Sequence, residues 1–401
     1  MGAGDQGGRA ERMTTPRSMS PPVAQPAPVA SRSPSAPGPA ATPSAASLGP
    51  PAPSRDDAAA LNRQLLRAML LQRRFEERSA EAYALGKIGG FCHLYIGQEA
   101  TGTGALSVLR ADDYVISTYR DHAQAIARGI SPRAVMAELF GKAAGCSHGK
   151  GGSMHLFSRE HNFLGGHGIV GANIPIATGV GFAIKYRGGD QVCLCFFGEA
   201  AVNTGAFHES LNMAGLWQLP VVYLIENNRY GMGTAVERAA AITDIAERAL
   251  AYDIPHAVVD GQDVLAVRRV VGEAVARARE LRVPTLVESR TYRFMGHSMS
   301  DAVSGTYRTK AELDENLKRD PIALLRVHMH ERGQLTDEEV AQLDAEVKAV
   351  VEDAWQFADQ APEPAPDALL EDVLVADGGA GAPATNGASA PPGSPGSAGQ
   401  S

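Results

Sequence analysis

The stretch most able to do chemistry is the junction QVCLCFF-Gly198-Glu199-Ala200, where an apolar strand runs into a carboxylate and an amphipathic segment then begins. A second apolar strand, VVYLIEN, ends in Asn227-Asn228 about thirty residues later. One strand–helix–strand crossover has that length, so neighbouring parallel strands would bring Glu199 and Asn228 to the same sheet edge. A carboxylate oxygen, an amide oxygen and a backbone carbonyl form a hard, oxygen-only set suited to Mg²⁺ together with phosphate oxygens and water. The free N–H groups of the helix expected after Glu199 would hold the phosphate. The predicted chemistry is thus a magnesium-bridged diphosphate. A lone glutamate at this place would merely complement the helix dipole, by about 0.3–1 kcal/mol. It is the asparagine pair on the next strand that lifts the reading above that alternative.

The elements that position these residues follow from periodicity and punctuation. Strands are expected at 114–120, 191–197, 221–227, 256–261 and 285–293. Helices are expected at 57–85, with a charged face around Arg73, Arg74, Glu76 and Glu77, at 132–140 with Ser131 as N-cap, and at 172–186. Further helices are expected at about 202–217, 263–281, 310–330 and 336–358. Such alternation predicts an α/β fold with a doubly wound, mostly parallel sheet. Ligands of these sheets bind beyond the carboxyl ends of the strands. Gly198–Glu199, Asn227–Asn228 and Gly296–His297 all fall at such ends.

Two glycine-rich segments invite other readings. GHGIVG (166–171) matches a dinucleotide fingerprint, but HNFLG before it is a poor strand and no acidic residue closes a strand some 20 residues on. GCSHGKGGS has the look of a phosphate loop, yet Gly151 follows Lys150 where Ser or Thr should bind magnesium. It reads as a flexible glycine loop near a site.

Set in order, FFGEAAVNTG…IENNRYG, GGFCHLYIGQEA (89–100), STYRDHA (117–123), GCSHGKGGSMHLF (145–157), GGHGIVGA (165–172) and TYRFMGHSMSD (291–301) resemble the alpha subunit of the first component of 2-oxo acid dehydrogenase complexes. The resemblance spans about residues 60–370 and is strongest to the pyruvate-type members. It implies a thiamine-diphosphate-binding fold. It implies that Glu199, Asn228 and the carbonyl of Tyr230 hold Mg²⁺, and that Tyr119, Arg120 and His297 contact the diphosphate. Ala200 and Ala201 would offer it backbone groups, and Gly168 and Val170 would position the aminopyrimidine. His93 and His297 would lie by the substrate and the reacting carbon. It further implies a separate beta subunit completing an α2β2 heterotetramer, a lipoyl acetyltransferase as second component, and a small 2-oxo acid substrate. The serines of 296–309 are phosphorylated in mitochondrial relatives; here the segment reads as a substrate-gating loop.

The family usually has Asp-Gly where this chain has Glu199-Ala200. Branched-chain members carry Glu there, so metal binding is expected to survive. Should the turn need a positive φ, the Ala200 Cβ would cost roughly 1 kcal/mol or more and weaken cofactor binding.

Composition bounds the rest. The chain has 401 residues and net charge −8. That balance argues against nucleic acid as a partner, since phosphate backbones need a basic face. No apolar run reaches membrane-spanning length and no signal-peptide core opens the chain, so a bacterial cytoplasmic protein is expected ahead of a mitochondrial matrix one. Residues 1–55 and 377–401 are rich in Pro, Ala, Ser and Gly and are expected to be disordered, flanking one α/β domain at 56–376. Cys193 and Cys195 are expected to be buried and reduced, on one side of their strand.

Overall fold

The computed structural model describes residues 55–371 and residue 373. The expected terminal arm, apart from Arg55, and the tail at 377–401 lie outside the described residues. Among the described residues eight strands occur, in chain order: β1 Tyr114–Thr118, β2 Phe163–His167, β3 Cys193–Gly198, β4 Val221–Asn227, β5 Tyr230–Gly231, β6 Thr234–Ala235, β7 His256–Asp260 and β8 Thr285–Arg290. Six of them form one sheet in the order β2-β1-β3-β4-β8-β7, every pair parallel, and β5 and β6 make a small antiparallel hairpin. The chain runs outward from β1 to β2 and then returns to β3 on the other side of β1. The carboxyl ends of β1 and β3 therefore flank the topological switch point, where such sheets bind ligands.

β4 is buried along its whole length, as its unbroken apolar run demands of a central parallel strand. On β3 the side chains alternate between two cores. Leu194 and Phe196 pack on one face, and Cys193, Cys195 and Phe197 on the other. All three of those residues are fully buried, and the two cysteines are free. Among the described residues no helix is long and apolar enough to cross a membrane.

Several expectations change. The last three residues of HNFLG do enter the sheet, opening β2, with glycines required by close approach rather than tolerated: a Cβ on Gly166 would lie 2.1 Å from Asp121 Oδ2. Packing here overrides glycine's poor strand propensity. The helix expected at 202–217 begins at Gly205, capped by Thr204, and Glu199–Asn203 is a 3₁₀ turn. The helix expected at 310–330 is two, Lys310–Leu317 and Pro321–Glu331. Pro321 cannot continue a helix, and the Asp320 side chain caps the new one through the N–H groups of Ile322 and Ala323. Ser131 makes no side-chain cap bond.

The supposed charged face of the long first helix, Arg55–Ala84, is partly interior. Glu76 is buried and Arg73 nearly so. Arg73 bonds Glu99 at 2.5 Å and Asp320 at 2.9 Å. Glu76 accepts from the Tyr95 N–H at 2.9 Å and hydrogen-bonds His122 Nδ1 at 2.9 Å. One buried carboxylate thus ties the segment carrying His93 to the segment carrying Tyr119 and Arg120.

Candidate active site

The carboxyl ends of β1, β2, β3 and β4 surround a cavity of about 280 Å³. Register explains the convergence: Gly198 of β3 pairs with Glu226 of β4, so the residues just beyond each emerge together. Tyr119, Arg120, Val170, Glu199, Ala200, Ala201, Asn228, Tyr230 and His297 all line this cavity. Gly168 sits at its rim, exposed, the place of its missing Cβ lying 3.3 Å from the His155 ring. His93 lies behind the wall. Its ring centroid is 4.5 Å from Tyr119 and 5.1 Å from His297.

Charge gives the cavity its character. Arg120 is buried, yet its guanidinium bonds only carbonyls, Leu94 O at 2.6 Å and His297 O at 2.8 Å. Burial and the neighbouring Arg293 pull it down to about 10. Arg293, which the sequence reading missed, is also buried and bonds only neutral oxygens. Facing these cations, Glu199 is 4% exposed and its Oε1 has no hydrogen-bond partner. Burial pushes its carboxyl above the usual range, against the backbone N–H groups of Glu199 and Asn228 and the charge of Arg293. Glu226, likewise missed, accepts from Tyr95 Oη and from Gln124 at 3.0 Å, and burial pushes it up to about 7. A glutamate inside an otherwise apolar strand was its legible signal.

A cavity that buries two guanidinium groups without carboxylate partners and leaves a carboxylate oxygen unpaired is suited to an anion and a cation together. The donor set fits magnesium diphosphate: one carboxylate, one amide oxygen and one backbone carbonyl. Among the described residues no cluster of three or more His, Cys, Asp or Glu side chains offers a different metal site. A larger cavity, about 640 Å³, lies by the ends of β4, β7 and β8. Its Arg290 and Arg319 are paired with Asp244 and Asp260, so it leaves those charges satisfied.

Ala200 is not among the residues with positive φ, so the turn does not strain its Cβ. Its methyl instead faces Gly231 of the hairpin, where a second Cβ would lie only 2.6 Å away.

The glycine loop is not loosely held. The Glu138 carboxylate accepts from the N–H groups of Ser147 (2.8 Å), Gly149 (2.9 Å), Gly151 (2.7 Å) and Gly152 (3.1 Å). The loop looks like a phosphate cradle because it is an anion nest, and the protein supplies the anion.

His93 is pulled down to about 2 by burial, then by Arg120 and His297; His297 is pulled to about 4 by burial, then by Arg120 and Arg293. Both are neutral across the physiological range, each with a buried, unpartnered Nδ1. Their folded pKa values lie below the unfolded value, so between them the unfolded chain binds more protons. The contribution of these two histidines is complete above pH ~6.5 and falls on acidification, with a limiting slope of about 1.4 kcal/mol per unit for His93 and a smaller one for the less shielded His297. Urea midpoints at pH 5 and 7.5 should differ accordingly, and His93→Gln should shrink the difference. An unchanged pH slope in His93→Gln counts against the buried neutral state.

The fold and cavity define a doubly wound α/β protein with a ligand site at its topological switch point. Comparison with known proteins makes this specific. The family model described as dehydrogenase E1 component matches residues 67–367. The chain is 49% identical over 310 residues to the pyruvate dehydrogenase E1 component subunit alpha of Rhizobium meliloti (strain 1021), covering 77% of this chain and 88% of the relative. It is 46% identical over 314 residues to the protein of that name from Zymomonas mobilis, covering 78% and 88%. It is 45% identical over 318 residues to a chloroplastic subunit alpha-3 of Arabidopsis thaliana, covering 78% and 74%. The chain belongs to the dehydrogenase E1 component family, whose members depend on thiamine diphosphate.

Proposed function

We propose that this chain is the alpha subunit of an acetyl-transferring pyruvate dehydrogenase. The observation that carries the reading is the switch-point cavity, in which one oxygen of the Glu199 carboxylate has no partner and Arg120 and Arg293 lack carboxylate partners. The names of its relatives supply the substrate.

Thiamine diphosphate, when bound, supplies the carbon nucleophile and the electron sink for decarboxylation of a 2-oxo acid. Glu199, Asn228 and the Tyr230 carbonyl would hold its Mg²⁺. Tyr119, Arg120 and His297 would take the diphosphate, with backbone groups of Ala200 and Ala201. Gly168 and Val170 would seat the aminopyrimidine through their backbone. His297 on the cavity wall and His93 packed behind it would be the groups nearest the substrate carboxylate and the lipoyl acceptor, and being neutral they would donate or accept hydrogen bonds there without adding charge. The described residues form one such α/β module, and a beta subunit would supply the other half of the cofactor site in an α2β2 assembly. The acetyl group would pass to the lipoyl arm of an acetyltransferase component, yielding acetyl-CoA in the whole complex. The bacterial relatives support a cytoplasmic setting.

The test is co-expression with the beta subunit and an oxidative decarboxylation assay with an artificial electron acceptor. Pyruvate is compared with branched-chain 2-oxo acids and acetoin, with and without thiamine diphosphate and Mg²⁺. Cofactor-dependent turnover should be highest on pyruvate and absent from the alpha chain alone. Preference for a branched-chain acid, which Glu199 would suit, reassigns the substrate. A folded complex inactive on all of them makes this a non-catalytic partner-binding subunit.

A further inference from the structure

Arg293 occupies an unusual place. It follows β8 and is 2% exposed. Its Nη1 donates to Asn228 Oδ1 at 3.1 Å and to the Tyr230 carbonyl at 3.4 Å. Its Nη2 donates to the Met232 carbonyl at 3.1 Å and to Tyr307 Oη at 2.9 Å, and its Nε to the Met295 carbonyl at 3.3 Å. The guanidinium has five donors and no acceptor, and it remains charged. Two of the three oxygens that the proposed reading gives to the metal are therefore held by a fixed positive charge. The third, the Glu199 carboxylate, shares the cavity without bonding it. The Asn228 amide is turned toward Arg293 because its Nδ2 donates to Gln98 Oε1 at 3.2 Å.

A divalent cation entering alone would compete with Arg293 for lone pairs and be repelled by it and by Arg120. A diphosphate entering alone would be attracted by both arginines. Once seated, it would supply the negative charge that lets guanidinium and metal share one site.

We propose that Arg293 is a resident cation that keeps the metal site closed to a divalent ion until a diphosphate is bound, so that the two bind as an obligately coupled pair. The inference rests on the thiamine-diphosphate reading. By linkage the metal must tighten the diphosphate by the same factor as the diphosphate tightens the metal. Coupling of about 100-fold or more, the upper end of the usual range, is expected.

The experiment uses the full chain assembled with its beta subunit and Mn²⁺ as a paramagnetic probe. Free Mn²⁺ is counted by electron paramagnetic resonance, without anion, with inorganic pyrophosphate and with thiamine diphosphate. The wild type should bind Mn²⁺ about 100-fold more tightly with either anion than without. Arg293→Gln should bind Mn²⁺ without anion at least about tenfold more tightly than the wild type, while binding pyrophosphate more weakly. Arg293→Lys, which keeps the charge, should keep Mn²⁺ out. An arginine that only braced the hairpin would leave the anion-free Mn²⁺ affinity of Arg293→Gln unchanged or lower it, and that result overturns the proposal. Equal Mn²⁺ affinity of the wild type with and without anion overturns it with no variant needed. No Mn²⁺ binding to the wild type even with thiamine diphosphate would instead remove the cofactor reading on which the proposal stands.

Discussion

Glu199→Gln in the assembled complex is expected to lower kcat/KM for the 2-oxo acid by about 100-fold or more, equivalent to about 2.7 kcal/mol of transition-state stabilisation. Glutamine keeps the size and one carbonyl oxygen but removes the formal charge. The candidate donor set has no other carboxylate, so Mg²⁺ would lose its one anionic protein ligand. Activity should return partly at high Mg²⁺, because the lesion lies in metal affinity. Glu199→Asp keeps the charge with one methylene less reach, and should retain activity within about tenfold if charge rather than chain length is decisive. The cofactor-free protein should move the other way. Glu199 is buried with an unpartnered Oε1, and burial already holds its carboxyl above the usual range. Removing that charge should leave the melting temperature unchanged or raise it, which separates loss of function from loss of fold. Wild-type turnover with unchanged Mg²⁺ dependence in Glu199→Gln excludes it as the metal ligand.

The second large effect lies in the glycine loop. Glu138→Ala is expected to destabilise the domain by about 3–5 kcal/mol, as breaking a buried charged network does. Four backbone N–H groups converge on that carboxylate and would be left without acceptors. Glu138→Gln is informative too: its amide has a single acceptor oxygen, and its NH₂ would confront donors. The damage should travel. The loop leads into His155, whose Nδ1 hydrogen-bonds the Gly166 carbonyl at 3.0 Å, and Gly166 lies at the end of β2 beside the cavity. Urea unfolding gives the stability change, and limited proteolysis within 145–155 gives the loop's release. A Glu138→Gln protein within about 1 kcal/mol of the wild type, with an uncut loop, shows that the nest does not need its anion.

The origin of these two residues marks how far one-dimensional reasoning reaches. Glu199 announced itself by position, a carboxylate at the end of an apolar strand with an asparagine pair one crossover later. Glu138 gave no such sign. In the sequence it is one charged residue of a short helix, and the loop it organises reads as flexible. Arg293 and Glu76 are alike in this. The partner that makes Arg293 notable, Asn228, is 65 residues away, and His122 is 46 residues from Glu76.

The sequence by itself determined the alternation of strands and helices, the parallel doubly wound class and the gathering of Glu199, Asn228 and His297 at one sheet edge. These follow from local periodicity and from the right-handedness of crossovers, which need no knowledge of distant contacts. The family signature was equally legible, because it is written in ordered short motifs. Only the tertiary structure decided that Phe163–His167 joins the sheet despite its glycines, and that the positive φ feared for Ala200 is not required. It likewise decided which charges are interior. Burial of a charge depends on partners brought from far along the chain, and a hydrophobic pattern cannot encode them.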